Sequence, residues 1–216
     1  MPAATATAAV IEARGFSPVV APLLVIEPRD ASLPAADAVL VTSGHAVLGV
    51  AALRNLPLLA VGDATAALAR QAGFGRVMSA AGDATALAAL ARRELPAHAR
   101  ILLAVGAGQG TALAATLRHA GFRVQRRIVY AAHGVRALPP HAATALQAGA
   151  IEAALFLSAE TARVFAAILS ASLHPSLAGV TALAIGEPAA AALRALPWGQ
   201  VRVSAEPTLE GVLALL

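Results

Sequence analysis

Residues 60–70 read AVGDATAALAR and residues 184–194 read AIGEPAAAALR. In both, an apolar run ends at a glycine, an acid follows, and an alanine-rich segment of helical composition begins. A chain that makes one strand-to-helix turn twice is bound to repeat an α/β unit, and the copies extend well beyond the turn. Ala38-Val39-Leu40-Val41-Thr42-Ser43-Gly44 has its partner in Ala153-Ala154-Leu155-Phe156-Leu157-Ser158-Ala159, each followed by an expected helix ahead of the glycine–acid turn. Each half then reaches a strand ending in Ser-Ala, at Ser79-Ala80 and Ser204-Ala205, and closes with a helix, Thr85–Arg93 or Leu209–Leu216. A solenoid buries its core only with three or more short copies. Two long copies point instead to two similar α/β domains.

Short Val/Leu/Ile runs alternate with the helical segments, the pattern of a parallel sheet covered by helices. The expected strands are Val19–Pro22, Ala38–Thr42, Leu58–Val61, Arg76–Ser79, Ile101–Val105, Val124–Ala131, Ala153–Leu157, Ala182–Ile185 and Val201–Ser204. Gly15, Gly73 and Gly121 each follow a helical segment and suit the left-handed position just past a helix end. One domain is expected over residues 31–125, and the other combines residues 1–25 with 136–216. Residues 23–28 and 126–132 then cross between them as a pair of strands. Ligands of such sheets bind at the carboxyl ends of the strands, and the space between the domains is the expected cleft.

Apolar residues make up 58% of the chain but aromatics only 3%, so the core must be built from Ala, Val and Leu. Cysteine is absent, which removes disulfides, thiol nucleophiles and thiolate zinc sites. Lysine is absent as well, which excludes a Schiff base, a pyridoxal phosphate enzyme and a P-loop. All 16 basic residues are arginine and the formal charge is +4, a balance that suits a polyanionic small molecule, although GC-rich coding favours Arg and Ala too. No nucleic acid is expected, because the arginines are scattered and only Arg92-Arg93 and Arg126-Arg127 are adjacent. No secretory signal is visible, the apolar runs are broken before spanning length, and the six histidines show no metal-ligand spacing. A soluble cytoplasmic protein without membrane contact, metal or cofactor is the expectation.

Thr42-Ser43-Gly44 and Ser158-Ala159 end strands and open helices, where a hydroxyl caps the helix or the free N–H groups receive an anion. Gly62-Asp63-Ala64-Thr65 and Gly186-Glu187-Pro188-Ala189 are a second matched pair. Glycine lets a ligand approach the backbone. Asp63 and Glu187 are either acid/base groups or the negative charges that complement a helix N-terminus. GAGQGT, residues 106–111, lies between a strand and a helix but has G-x-G-x-G spacing, and Arg126-Arg127 stand where a dinucleotide site needs an acid. It is a tight turn, a carboxylate loop or an NADP loop. Tyr130, the only tyrosine, is either a proton donor at the cleft or a packed ring with its hydroxyl bonded to backbone.

In this order the motifs resemble the uroporphyrinogen-III synthase family. The resemblance covers nearly the whole chain: PVVAPLL after EARGF, VLVTSG, AVGDATAALARQAGF, SAAGDATALAALA, AGFRVQRRIVYAA, ALFLSAETARVFAAI, LAIGEPAAAAL and VRVSAEPTLEGVLALL. It implies two HemD-like, flavodoxin-like parallel-sheet domains joined by a two-stranded β ladder. The implied activity turns the linear tetrapyrrole hydroxymethylbilane into uroporphyrinogen III, with loss of water and inversion of ring D, and uses no metal or organic cofactor. Water leaves from the hydroxymethyl group, and the resulting azafulvene closes through a spiro intermediate. The protein's task is then mainly to hold carboxylates and fold the substrate so that the correct carbon attacks.

Position by position, the resemblance makes Tyr130 the residue assisting departure of hydroxide. It assigns substrate binding to Thr42, Ser43 and Gly44, to Gly62, Ala64 and Thr65, to Gly82, to Ser158 and Ala159, and to Gly186 and Ala189. A monomer, with hydroxymethylbilane synthase as its pathway neighbour, completes the expectation. The chain departs from the family pattern at His45, which follows Thr-Ser-Gly, and at Ala189 and Ala190, which stand where threonines are usual. The family also opens with a strand of the V-L-V-T-R-P type, whereas here Met1-Pro2 leads directly into a helix, so a gap is expected in the sheet of the discontinuous domain. Two other readings share these features: a two-domain small-molecule binding protein without chemistry, and an NADP-linked reductase centred on Gly106–Gly110.

Overall fold

The structure, a computed structural model, describes residues 2–216, with side chains from residue 4; Met1, assigned above to the discontinuous domain, lies outside the described residues. In chain order it runs α1 (Pro2–Glu12), β1 (Leu24–Pro28), β2 (Ala38–Val41), β3 (Leu58–Ala60), α2 (Asp63–Gln71), β4 (Val77–Ser79) and α3 (Ala84–Glu94). It continues with β5 (Arg100–Gly106), α4 (Thr111–His119), β6 (Arg123–Gly134), α5 (Pro140–Gln147), β7 (Ala153–Phe156) and α6 (Ala159–Ile168). The last elements are β8 (Thr181–Ala184), α7 (Glu187–Leu193), β9 (Gln200–Val203) and α8 (Leu209–Leu213). The fold is α/β with two compact units, Ile26–Ala132 and the described residues up to Val25 together with His133–Leu216.

The inserted unit is built on a six-stranded sheet in the order β1-β6-β5-β2-β3-β4. The β2–β3, β3–β4, β2–β5 and β5–β6 ladders are parallel, with Val39 opposite Leu58 and Leu102. β1 closes the sheet against β6, and the N–H of Arg29 donates to the Val129 carbonyl at 2.9 Å. Alternate side chains of the central strands go to opposite faces. Leu40, Leu59 and Leu103 enter one core with α3 and α4 residues such as Leu87 and Leu117, whereas Val39, Val41, Leu58 and Leu102 enter the other with Ala66 and Ala69 of α2. Both faces are covered, so these strands read as continuous apolar runs rather than as alternating ones.

The helix expected after Gly44 is instead two 3-10 turns, Gly44–Ala46 and Leu48–Leu53. Gly44 and Gly49 interrupt the segment, and glycine inside a helix is unfavourable by roughly 0.5–1 kcal/mol relative to alanine. At Gly49 the backbone comes so close to Val129 that a Cβ would lie 2.6 Å from the valine Cβ.

The discontinuous unit holds a separate parallel sheet, β7-β8-β9, in which Ala153 is opposite Thr181 and Thr181 opposite Gln200. Its core takes Phe156, Phe165 and Trp198 as an aromatic group with ring centroids 5.2–5.8 Å apart. Ala162, Ala189 and Ala190 are buried in the same core, where alanine lets helices approach closely.

Val19–Pro22, expected as a strand, is not one. Among the described residues no strand pairs with the free edge of β7. Pro18 and Pro22 carry no N–H, and the Val20 carbonyl accepts from His141 Nε2 at 2.9 Å. A segment without a ladder partner is not a strand. A cavity of about 840 Å³ lies here, lined by α1, residues 15–23, β7 and the C-terminal leucines. Gly15, Gly73 and Gly121 do take the left-handed conformation, with φ of 88°, 92° and 89°.

Candidate functional site

In the inserted unit the assigned residues lie along one edge of the sheet, at the carboxyl ends of its parallel strands. The Val61 N–H donates to the Val41 carbonyl at 3.1 Å and the Gly82 N–H to the Val61 carbonyl at 3.0 Å. These bonds tie the turns after β2, β3 and β4 side by side. Thr42, Ser43 and Gly44 form the first turn, where Ser43 Oγ accepts from the His45 N–H at 3.3 Å. Gly62 caps α2 with extended backbone and no side chain in the way, Ala64 is exposed in the first turn of the helix, and Thr65 is buried.

The pentapeptide GDATA occurs at residues 62–66 and again at 82–86, with two different outcomes. In the first copy Gly62 is the cap and Asp63 the first helical residue. In the second, Asp83 is the cap, its Oδ1 accepting from the N–H groups of Thr85 and Ala86 at 2.9 Å, and Gly82 is exposed before it. The Asp83 carboxylate therefore occupies the donors that a bound anion would use at the second helix, while no side-chain cap closes the first.

Tyr130 stands on β6 opposite Gly106 of β5 and is only 4% exposed. Its carbonyl accepts from the Ala107 N–H at 3.0 Å, and its hydroxyl donates to Gln109 Oε1 at 3.2 Å. The alternative of a packed ring bonded to backbone is thus corrected: the ring is packed, but its hydroxyl meets a side chain. The His45 ring lies 5.6 Å from the Tyr130 ring, centroid to centroid, tilted by 58°. Partial burial pushes the His45 pKa below its ordinary value, so the imidazole is neutral at pH 7.

Ser43, His45, Tyr130 and Gln109 make one continuous row. Gln109 and His45 had no assigned role in the sequence. Their signal was position alone, a polar residue in each of two loops at the ends of strands β2 and β5.

The discontinuous unit carries its own row. Ser158 Oγ accepts from the Thr161 N–H at 3.1 Å and lies 3.0 Å from Thr161 Oγ1, so it caps α6, of which Ala159 is the first residue. Gly186 caps α7 with extended backbone. Glu187 is paired with Arg194, and their hydrogen bonds hold the carboxyl below the usual range, which makes it a fixed charge rather than a proton donor. Ala189 is 1% exposed and its N–H donates to the Gly186 carbonyl at 3.0 Å, so its methyl serves the core.

Among the described residues no three His, Asp or Glu side chains gather to hold a metal, and no helix is long and apolar enough to cross a membrane. In the 106–110 loop, Gly106 makes room for the Tyr130 ring, since a Cβ there would lie 2.7 Å from Cζ.

No curated protein matches the sequence. Over 93% of this chain and 91% of the other, the structure is similar to that of uroporphyrinogen-III synthetase from Helicobacter pylori 26695, with a TM-score of 0.66 at 18% identity. A variant of uroporphyrinogen III synthase from the extremely thermophilic bacterium Thermus thermophilus matches at 23% identity and a TM-score of 0.46, over 99% of this chain and 93% of the other. The family model described as Uroporphyrinogen-III synthase HemD matches residues 5–214, and the chain therefore belongs to the uroporphyrinogen-III synthase family, the cyclising lyases of tetrapyrrole biosynthesis.

Proposed function

We propose that this protein closes hydroxymethylbilane to uroporphyrinogen III with Tyr130 as the group that assists departure of the hydroxymethyl oxygen. The observation that carries the role is the placement of Tyr130: a buried ring whose hydroxyl is held by a neutral amide, in a row with the Ser43 turn at the ends of parallel strands. Electron release from the substrate's own pyrrole breaks the C–O bond, and the phenol proton makes the leaving hydroxide water. Ring closure and rearomatisation later release one proton, which restores the phenol. Glu187 is a poor alternative donor, because Arg194 keeps it ionised.

The turns at Thr42–Gly44, Gly62–Thr65 and Gly82, and at Ser158–Ala159 and Gly186–Ala189, are proposed to line the substrate's carboxylates, with the main-chain N–H groups at the uncapped starts of α2 and α7 as the donors. That assignment rests on helix starts with glycine or a small residue, where an anion can approach the backbone. A cytoplasmic monomer supplied by hydroxymethylbilane synthase belongs to the same reading. The test is to supply hydroxymethylbilane and separate the type I and type III isomers. Excess type III over the uncatalysed mixture is expected. A product mixture unchanged by the protein would leave a binding protein without chemistry.

A further inference from the structure

We infer that Gln109 is a positioning residue that holds the Tyr130 hydroxyl in both of its protonation states, an inference that rests on reading Tyr130 as the proton donor. The glycine-rich stretch 106–110, read from sequence as a tight turn, a carboxylate loop or an NADP loop, meets Tyr130 at three of its residues, Gly106, Ala107 and Gln109. Gly106 lies against the ring, with no space for a side chain. The Ala107 N–H donates to the Tyr130 carbonyl, so the loop starts from the tyrosine's own main chain. The Gln109 N–H then donates to the Gly106 carbonyl at 3.1 Å, which turns the chain back over the hydroxyl. Arg126 closes the arrangement from the neighbouring strand, its Nη1 donating to the Gln109 carbonyl at 2.7 Å. Gly110 completes the turn at a φ of 79°, with Val105 so close that a Cβ would lie 2.7 Å from its Cγ1.

This frame fixes the main chain of Gln109 at both ends and leaves its side chain one partner, the Tyr130 hydroxyl at 3.2 Å. Gln109 itself is exposed, whereas the tyrosine is buried. An amide can do what neither a carboxylate nor a hydrocarbon can. Its oxygen accepts from the phenol, and after a half-turn its nitrogen donates to the phenolate. Tyr130 turns its O–H from the amide oxygen to the departing hydroxide, the amide nitrogen pairs with the phenolate that remains, and the phenol donates to the amide oxygen again once ring closure has returned a proton. The neutral His45 ring, 5.6 Å from the Tyr130 ring, supplies no fixed charge to do this instead.

The test compares Gln109→Leu, which removes both donor and acceptor, with Gln109→Glu, which keeps the shape and the acceptor but cannot donate to a phenolate. Single-turnover rates and KM are measured for each, alone and combined with Tyr130→Phe, with far-UV circular dichroism and melting to establish that each variant folds. Both Gln109 variants are expected to lose about ten-fold or more in rate, the size of one hydrogen bond to a charged group, with KM within about two-fold of the parent. Neither should slow the Tyr130→Phe protein further. A parental rate in folded Gln109→Leu, a rise in KM alone, full activity in Gln109→Glu, or losses that add to that of Tyr130→Phe would each overturn the assignment. If Tyr130→Phe itself turns over at the parental rate, the reading of Tyr130 falls and this one with it. A slow Tyr130→Phe beside a fast Gln109→Leu removes Gln109 alone.

Discussion

Gly106 stands against the hydroxyl end of the Tyr130 ring so closely that a Cβ would lie 2.8 Å from Cε2 and 2.9 Å from the hydroxyl oxygen. The ring is 4% exposed and belongs to one core cluster with Val39, Val41, Ala104 and Val129. Gly106→Ala is therefore expected to destabilise the protein by about 1–3 kcal/mol, the usual cost of overpacking. It should also slow turnover by moving the hydroxyl. Urea unfolding and single-turnover rates check this, and a variant as stable and fast as the parent would mean that the ring shifts freely.

Removing the hydroxyl alone separates chemistry from packing. Tyr130→Phe keeps the buried ring and is expected to slow turnover by roughly ten- to a thousandfold, within or below the range of a positioned acid. Binding should hardly change. An unaltered single-turnover rate would make Tyr130 a core residue and nothing more.

The repeat was legible because it rests on local chemistry. A glycine, an acid and a run of alanines after an apolar strand give the same turn wherever they occur, and α2 and α7 begin as their sequences imply. What the sequence hid depends on contacts between segments. Val19–Pro22 has the composition of a strand, but strand character needs a partner, and none lies beside it among the described residues. The two GDATA copies are identical in sequence and differ in which residue caps the helix, because only Asp83 turns its side chain back onto the next N–H groups. Gln109 and Tyr130 are brought together by pairing between β5 and β6. Nothing in the spacing of a single polar residue among glycines announces that contact.

Ser43 and Ser158 test whether the turns act through side chain or backbone. Ser43 Oγ has a single long hydrogen bond, 3.3 Å from the His45 nitrogen, so little of the turn depends on it. Ser43→Ala should raise KM only a few-fold, about 1 kcal/mol for one lost hydrogen bond. Ser158 is the cap of α6 and also meets Thr161, so Ser158→Ala should cost about 0.5–2 kcal/mol of stability as well. A loss of several thousand-fold in Ser43→Ala would show that its hydroxyl takes part in the reaction.

Asp37 and Arg100 form an ion pair at the start of the β2–β5 ladder, with Arg100 Nη2 2.6 Å from Oδ1 and the Arg100 N–H donating to Oδ2 at 2.8 Å. The side-chain hydrogen bond to Arg100, followed by that to its backbone, lowers the Asp37 pKa from 3.8 to about 2. A carboxyl depressed by folding contributes stability above its unfolded pKa and loses that contribution as pH falls through the folded value. Asp37→Asn should therefore melt lower than the parent above about pH 4, and the two should converge between that pH and about 2. Because the pair is exposed, the gap should also narrow in high salt. A constant difference across this acid range would assign the effect to something other than ionisation.

The free edge of β7 gives the last prediction. In the inserted unit, β5 leads through α4 and Gly121-Phe122 into β6, and β5 itself pairs with β2. In the discontinuous unit, α1 leads through Gly15-Phe16 into residues 19–22, and β7 holds the place of β2. The counterpart of β5 would enter α1 and lie between β7 and residues 19–22, where the cavity of about 840 Å³ runs. Phe16 and Val19, 43% and 42% exposed, border that space. A strand there would gain ladder hydrogen bonds along its edges and bury apolar surface on both faces, as the central strands of parallel sheets do. Placing about ten residues ending in a Val-Leu-Val-Thr strand ahead of α1 should raise the melting temperature by several degrees, since each kcal/mol is worth about 2–4 °C at this size. The same extension with proline at alternate strand positions cannot donate to the ladder and should give no gain. Equal melting of the two extended proteins would mean that the cavity does not accept a strand.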